Sequence, residues 1–215
     1  MIHLILIGLL AGLFFSSTFI LNRVMSLEGG HWVWSASLRY GYMILFLVAW
    51  FLLFKGPGAL KKVFQLFWKY LGFWFLAGTI GFGLFYALIC YSADHAPGWV
   101  VATTWQFTII ATLFVLLFFG RSFPRKTWLF SALVFGGVLI VNLSQVENTG
   151  LKELMAGAVP VLLAAFCYPL GNQMVWEATN GNKKLPNISS PVLDTPFARV
   201  LLMSLGSLPL WLILI

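Results

Sequence analysis

The sequence predicts an all-α polytopic membrane protein with about seven transmembrane helices, and three observations carry that prediction. Of the 215 residues, 60% are hydrophobic and only 9% are charged, too few charges to cover a water-soluble domain of this size. Seven apolar stretches approach or exceed the roughly 20 helical residues that cross a bilayer. Lysine and arginine gather in alternate connections between those stretches, as membrane topology demands.

Each stretch has its own reason to be a helix. The first, 2–22, follows only "MIH", lacks a basic leader and is too long for a signal-peptide core, so it is expected to remain as a span. Its "GLLAG", with Gly8 and Gly12, has the spacing of a close-packing motif. The second, 32–54, contains Arg39 inside apolar sequence. The third, 67–92, carries Gly78, Gly81 and Gly83, which allow a neighbouring helix to approach tightly. The fourth, 98–119, includes "TTWQFT", and the fifth, 127–143, is the shortest. The sixth, 153–176, holds "YPLGNQ" at 168–173, where proline and glycine predict a broken helix, and the seventh covers 197–215. Trp32, Trp34, Trp68 and Trp99 near span ends fit an interfacial aromatic belt.

The connections fix an orientation. The first holds Arg23 and Glu28, the third Asp94 and His95, and the fifth Glu147, Lys152 and Glu153, none basic on balance. The second holds Lys55, Lys61, Lys62 and Lys69, the fourth Arg121, Arg125 and Lys126, the sixth Lys183 and Lys184. Basic connections stay in the cytoplasm, so the N-terminus is expected inside. The net charge of +7 and pI of about 9.7 therefore report topology, and no nucleic-acid partner is expected. "NGNKKLPNISSP", 180–191, is rich in turn formers and is expected to be a flexible cytoplasmic loop. Cys90 and Cys167 lie in apolar sequence and read as small core residues.

The chain resembles itself. "GLLAGLFFSSTFILN" from Gly8 to Asn22 matches "AVPVLLAAFCYPLGN" from Ala158 to Asn172, and "SLRYGYMILF" around Arg39 matches "FARVLLMSLG" around Arg199. The second span runs outside to inside and the seventh inside to outside, so a five-span unit inverts its second copy. Inverted repeats are an architecture of secondary transporters, with the solute site near the midplane between them. On this reading 1–143 is a first repeat and 153–215 the first two helices of a second. The chain is then expected to be a fragment of a ten-helix 5+5 protein.

The same residues resemble a known family. The Leu38–Arg39 pair opening the second span, and the run from "GTIGFGLFYALICYSADHAPGWV" through the basic turn to "FGGVLIV", are similar to the EamA-like repeats of the drug/metabolite transporter superfamily. "TTWQFT" at 103–108 is similar to its branch of multidrug-resistance efflux transporters. Two features depart from that pattern: Gly120 is followed by Arg121 where many relatives carry Gly-Glu, and no proline lies between Pro97 and Pro124.

Candidate solute residues cluster in three spans. Phe15, Ser17, Thr18 and Asn22 lie in the first, with Thr18 and Asn22 one helical turn apart on one face. Thr104, Trp105, Gln106 and Thr108 lie in the fourth, where Thr104, Thr108 and Thr112 form a stripe flanked by Thr103. Tyr168, Asn172 and Gln173 lie in the sixth. Phe14, Phe15, Trp105 and Tyr168 offer an apolar or cation-attracting wall. The competing reading is that membrane Ser and Thr bond their own helix or a neighbour. Arg39, about 12 Å along its helix from His31, lies too deep to snorkel easily. It either meets an anionic or carbonyl-bearing solute or holds helices together.

No acidic residue lies within a span, with Glu28, Asp94 and Glu177 all at ends, so the glutamate-based proton exchange of small four-helix exporters does not carry over. No nucleotide, metal or nucleophile motif occurs, so no cofactor, metal or enzymatic activity is expected. The expected function is alternating-access efflux of small amphipathic organic solutes or drugs. A metabolite carrier or importer of the same fold, for sugars, amino acids or nucleotide-linked solutes, remains the alternative, as does a non-transporting seven-helix protein or inactive fragment. The expected partners are the lipid bilayer and a small-molecule solute, with a homodimer left open, and the expected location is a bacterial plasma membrane.

Topology gives the first test. Cysteines placed at 61, 125 and 183 in a background lacking Cys90 and Cys167 should resist an impermeant reagent in sealed cells and react once the cells are opened. Strong labelling of position 61 from outside would reverse the assignment.

Overall fold

The computed structural model describes residues 2–144, 150–182 and 184–215, and Glu147 and Lys183 lie outside the described residues. The described chain is all-helical, and seven helices are long and apolar enough to cross a membrane. They are α1 (Ile2–Leu27), α2 (Trp32–Phe54), α4 (Leu71–His95), α5 (Gly98–Phe118), α6 (Arg125–Ser144), α7 (Leu151–Thr179) and α8 (Pro196–Leu214). An eighth, α3 (Pro57–Lys69), lies between the second and third spans.

α3 corrects the reading of the second connection as a basic loop. Leu60, Val63, Leu66 and Phe67 recur at helical spacing and are buried, while Lys61, Lys62, Trp68 and Lys69 stay exposed. Such a helix lies along an interface, with its apolar side on the protein and its lysines outward. Gly56 takes a φ of 79° to make the corner, and Pro57 starts α3 where a missing N–H costs nothing.

α4 is the centre of the bundle, touching α1, α2, α7 and α8. Its middle, Thr79–Leu84, is a π-helical segment between two α-helical pieces. The contacts in and just before this segment are backbone to backbone. A Cβ on Gly171 of α7 would overlap Gly81, and one on Gly206 of α8 would overlap the Trp74 carbonyl. The glycines expected to permit tight packing in the third span do so. The "GLLAG" expectation fails: a Cβ on Gly8 or Gly12 meets nothing within 4 Å. α1 makes its buried contacts farther along, at Thr18, Phe19 and Asn22.

The expected break also moves. α7 runs unbroken through Pro160 and Pro169, because a membrane helix can absorb the lost hydrogen bond where neighbours support it. α5 is the interrupted one, with pieces Gly98–Trp105 and Thr108–Phe118 joined at Gln106 and Phe107. There the amide of Gln106 bonds Thr103 at 3.2 Å and that of Phe107 bonds Thr104 at 3.0 Å, the tighter winding of a 3₁₀ turn.

The 180–191 connection is anchored at one point, Ile188, and the turn after it at Leu193, while most of its other described residues are exposed or half-buried. Ile188 and Leu193 are buried against Leu60 and Val63, and Ile188 donates its amide to Ala178 at 2.9 Å. Arg199 is the fourth residue of α8, counting from Pro196, whereas Arg39 is the eighth of α2, counting from Trp32. The two repeated arginines therefore sit at different depths.

The glycine contacts can be tested directly. Gly171→Ala should cost about 1–3 kcal/mol by overpacking, seen as a lower Tm in detergent. Gly136→Ala, whose Cβ meets nothing within 4 Å, should leave Tm unchanged or slightly raised. Equal losses at both positions would remove the packing explanation.

Candidate functional site

Polar side chains gather at three places. The first lies where α1, α2 and α4 meet. Arg39 donates from Nη1 to the Tyr86 hydroxyl at 2.8 Å and to Thr18 Oγ1 at 3.3 Å. Its guanidinium carbon also lies 4.5 Å from the Tyr86 ring centroid. The Tyr86 hydroxyl accepts from Arg39, so its own proton goes to Asn22 Oδ1 at 3.2 Å. That leaves Asn22 Nδ2 buried without a partner among the described residues. No carboxylate pairs with Arg39 among the described residues. The arginine ties three helices together through neutral hydroxyls.

The second is a cavity of about 470 Å³ between α4, α5, α7 and α8. Tyr168, Asn172, Gln173 and Trp176 line it from α7, Thr112 from α5, Phe82 from α4, and Arg199 and Met203 from α8. The π-helical segment of α4 supplies Phe82, whose carbonyl accepts from the Tyr40 hydroxyl at 2.9 Å. Asn172 donates to the Tyr168 carbonyl at 2.8 Å, leaving its own oxygen available as an acceptor.

The third lies at the far end of α7. Glu177, 3% exposed, accepts from Arg121 at 3.2 Å, from Gln173 at 2.8 Å and from Asn182 at 3.0 Å. Arg121 also lies over the Trp176 ring at 4.5 Å. The pair joins the end of α5 to the end of α7, and Gln173 and Trp176 connect it to the cavity.

The structure distributes the sequence candidates among these places. Thr18, Asn22 and Arg39 meet in the first, while Tyr168, Asn172 and Gln173 meet in the cavity. Trp105 belongs to an aromatic cluster, with ring centroids 5.8 Å from Phe15, 5.1 Å from Phe85 and 5.9 Å from Tyr168. Through Tyr168 that cluster backs the cavity wall. Thr104 donates to Asn142 of α6 at 3.4 Å, and Thr108 and Ser17 return their hydroxyls to Trp105 and Phe14 of their own helices. Gln106 is exposed on the α5 turn. Sequence reasoning missed Tyr86, Phe82, Trp176 and the Arg121–Glu177 pair, and it singled out Arg199 only as the counterpart of Arg39. The i+4 stripe through Thr112 carried a usable signal, and the four-residue spacing of Gln173 and Glu177 another.

Among comparisons with known proteins, a family model gives the kind of molecule. A family model described as "EmrE: Putative multidrug resistance efflux transporter" matches residues 2–215. The chain is 38% identical to "Uncharacterized protein YjlA" of Bacillus subtilis (strain 168), over 98% of this chain and 64% of that protein. It is 36% identical to an "Uncharacterized 42.1 kDa protein" of Shouchella clausii, over 97% of this chain and 54% of that protein. The chain thus spans less than two thirds of the length of each of these relatives. No solved structure matches it.

The Arg39 tie makes a measurable claim. Arg39→Met and Tyr86→Phe should each lower stability by about 1–3 kcal/mol, as expected for a hydrogen bond to a charged group. The double variant should lose much less than the sum, and Arg39→Lys should fall between, having charge without the planar fork. Additive losses measured by thermal unfolding in detergent would mean that the two side chains do not act together.

Proposed function

Because the chain belongs to the EmrE-type multidrug resistance efflux transporter family, part of the drug/metabolite transporter superfamily, we propose that it exports small amphipathic organic solutes by alternating access. The observation that carries this reading is the cavity of about 470 Å³ between α4, α5, α7 and α8. Its size falls in the range of small-molecule sites, and it combines apolar walls with a few convergent polar groups. It also adjoins the two places where span geometry departs from the α-helix, the π segment of α4 and, through the Tyr168–Trp105 contact, the turn of α5. Irregular backbone at membrane depth is tolerated where it lines a cavity, and such segments accompany transporter sites.

Several finer statements belong to the same proposal. Residues 1–143 form the first five-helix repeat and 153–215 the first two helices of a second. The N-terminus is cytoplasmic, in a bacterial plasma membrane, and the basic face of α3 lies on the same side. A homodimer is compatible with this arrangement and is not required by it. Tyr168, Asn172 and Gln173 contact the solute. Phe15 and Trp105 support the wall, and Arg39, Thr18 and Asn22 hold α1 and α2 to α4.

Transport by everted membrane vesicles tests the reading, using anionic, neutral and cationic fluorescent amphiphiles as a panel. Asn172→Ala and Tyr168→Phe should each raise KM by about three- to tenfold, the loss of one neutral hydrogen bond, at unchanged membrane abundance and Tm. If no member of the panel is accumulated, or if both variants lose Tm in step with transport, the cavity is not the solute site.

A further inference from the structure

Arg199 lines two cavities. One is the cavity between α4, α5, α7 and α8, and the other a polar recess of about 360 Å³. The recess is lined by Thr179, Asn180, Ser189, Ser190 and Asp194, from the end of α7 and the segment before α8. Arg199 lines both, and it is the residue that the polar recess and the amphipathic cavity share. The turn just before α8 holds the arginine in place. Leu193, 2% exposed, is anchored in the core and its carbonyl accepts from Arg199 Nε at 2.6 Å. The two Nη atoms make no hydrogen bond among the described residues, and Arg199 joins no ion pair among them.

The charge around the inner cavity is one-sided. Glu177 lies next to it through Gln173, but its carboxylate is occupied by Arg121, Gln173 and Asn182. Asp194 lines the recess rather than the cavity and lies beyond 4.0 Å of the guanidinium. One formal charge therefore lines the inner cavity, a cation with two free nitrogens in the geometry that matches a carboxylate. The walls beside it are apolar and aromatic, with Phe82, Trp176 and Met203.

Resting on the transporter reading of this cavity, we propose that Arg199 selects solutes with a carboxylate or similar oxyanion on an apolar or aromatic body, against cationic amphiphiles. The anionic group pairs with the two Nη atoms and the body lies against Trp176 and Phe82. Cations are disfavoured in the inner cavity because the charged group lining it is a like charge, while Glu177 is already paired and Asp194 lines the recess instead.

Three matched probes test this on the full chain in nanodiscs: 2-naphthoate, its neutral amide 2-naphthamide, and 2-naphthylmethyl-trimethylammonium. Binding is read from ligand-induced Tm shifts and from tryptophan quenching. The unaltered protein should bind naphthoate at least about tenfold tighter than either other probe. Arg199→Gln should weaken naphthoate by about 10- to 100-fold and the amide far less, since a hydrogen bond to a charged group is lost only for the anion. Arg199→Lys, which keeps the charge and loses the fork, should fall between and serves where the glutamine variant does not fold. Preferred binding of the trimethylammonium probe, weakened by Asn172→Ala but untouched at Arg199, would overturn the selection while leaving the cavity as the solute site. Failure of all three probes to bind, or binding indifferent to both Asn172→Ala and Arg199→Gln, would overturn both.

Discussion

α4 can be shared by α7 and α8 because glycine pairs let the three backbones come together. In lipid the hydrophobic effect does not press one apolar helix against another, so association rests on close packing and polar contacts. Gly78, Gly81, Gly171 and Gly206 supply the close packing, and a Cβ at any of them would run into a neighbouring backbone or side chain. The Gly81–Gly171 contact sits in the π-helical segment of α4 and the Gly206 contacts just before it, and the same segment supplies Phe82 to the cavity and its carbonyl to Tyr40. The packing contact and the shape of the cavity are one arrangement. Altering the first alters the second.

Polar groups then close the accounts that lipid leaves open. Arg23 donates to the Ala93 and Asp94 carbonyls at 3.1 and 2.9 Å, satisfying the end of α4, where four carbonyls lack helical partners. Arg39 joins α1 and α2 to α4, and Arg121 joins α5 to α7 through Glu177. The three arginines find three kinds of partner: backbone carbonyls, neutral hydroxyls and a carboxylate. Each choice matches depth. The carboxylate pair lies at a helix end, where amides of Gln173 and Asn182 complete its shell, whereas the deep Arg39 meets hydroxyls that add no second charge to be desolvated.

What the sequence made legible was what depends on local composition. The seven spans follow from apolar length, and the glycines of the third span announce close packing. Arg39 announced the need for a partner but not its identity, because a tyrosine among apolar residues reads as one more aromatic. α3 was hidden by counting its lysines as loop charges. The period of Leu60, Val63, Leu66 and Phe67 was present, and reading it requires asking where the apolar residues fall between the lysines. The break was sought at Pro169 because proline removes a donor, yet the tight packing of α7 against α4 keeps that helix whole. The real interruption at Gln106 and Phe107 has neither proline nor glycine. Only the tertiary setting distinguishes it.

The repeat in the sequence illustrates the same limit at the level of function. Aligning Arg39 with Arg199 pairs two residues that each lie in a helix, and it invites the expectation that they do the same work. Their neighbours differ. Arg39 is eight residues into α2 and bonds Tyr86 and Thr18 through Nη1, while Arg199 is four residues into α8 and bonds the Leu193 carbonyl through Nε, its two Nη atoms making no hydrogen bond among the described residues. An internal repeat copies the scaffold, and each copy's side chains are then free to take separate roles. Family membership behaves likewise, since it gives the scaffold and the transport class but not the sign of charge a site accepts. That sign depends on which ionised groups near the cavity already have partners. Here the acid has three and the arginine's outer nitrogens have none, which is why the solute's charge is better argued from Glu177 and Arg199 than from the family's description.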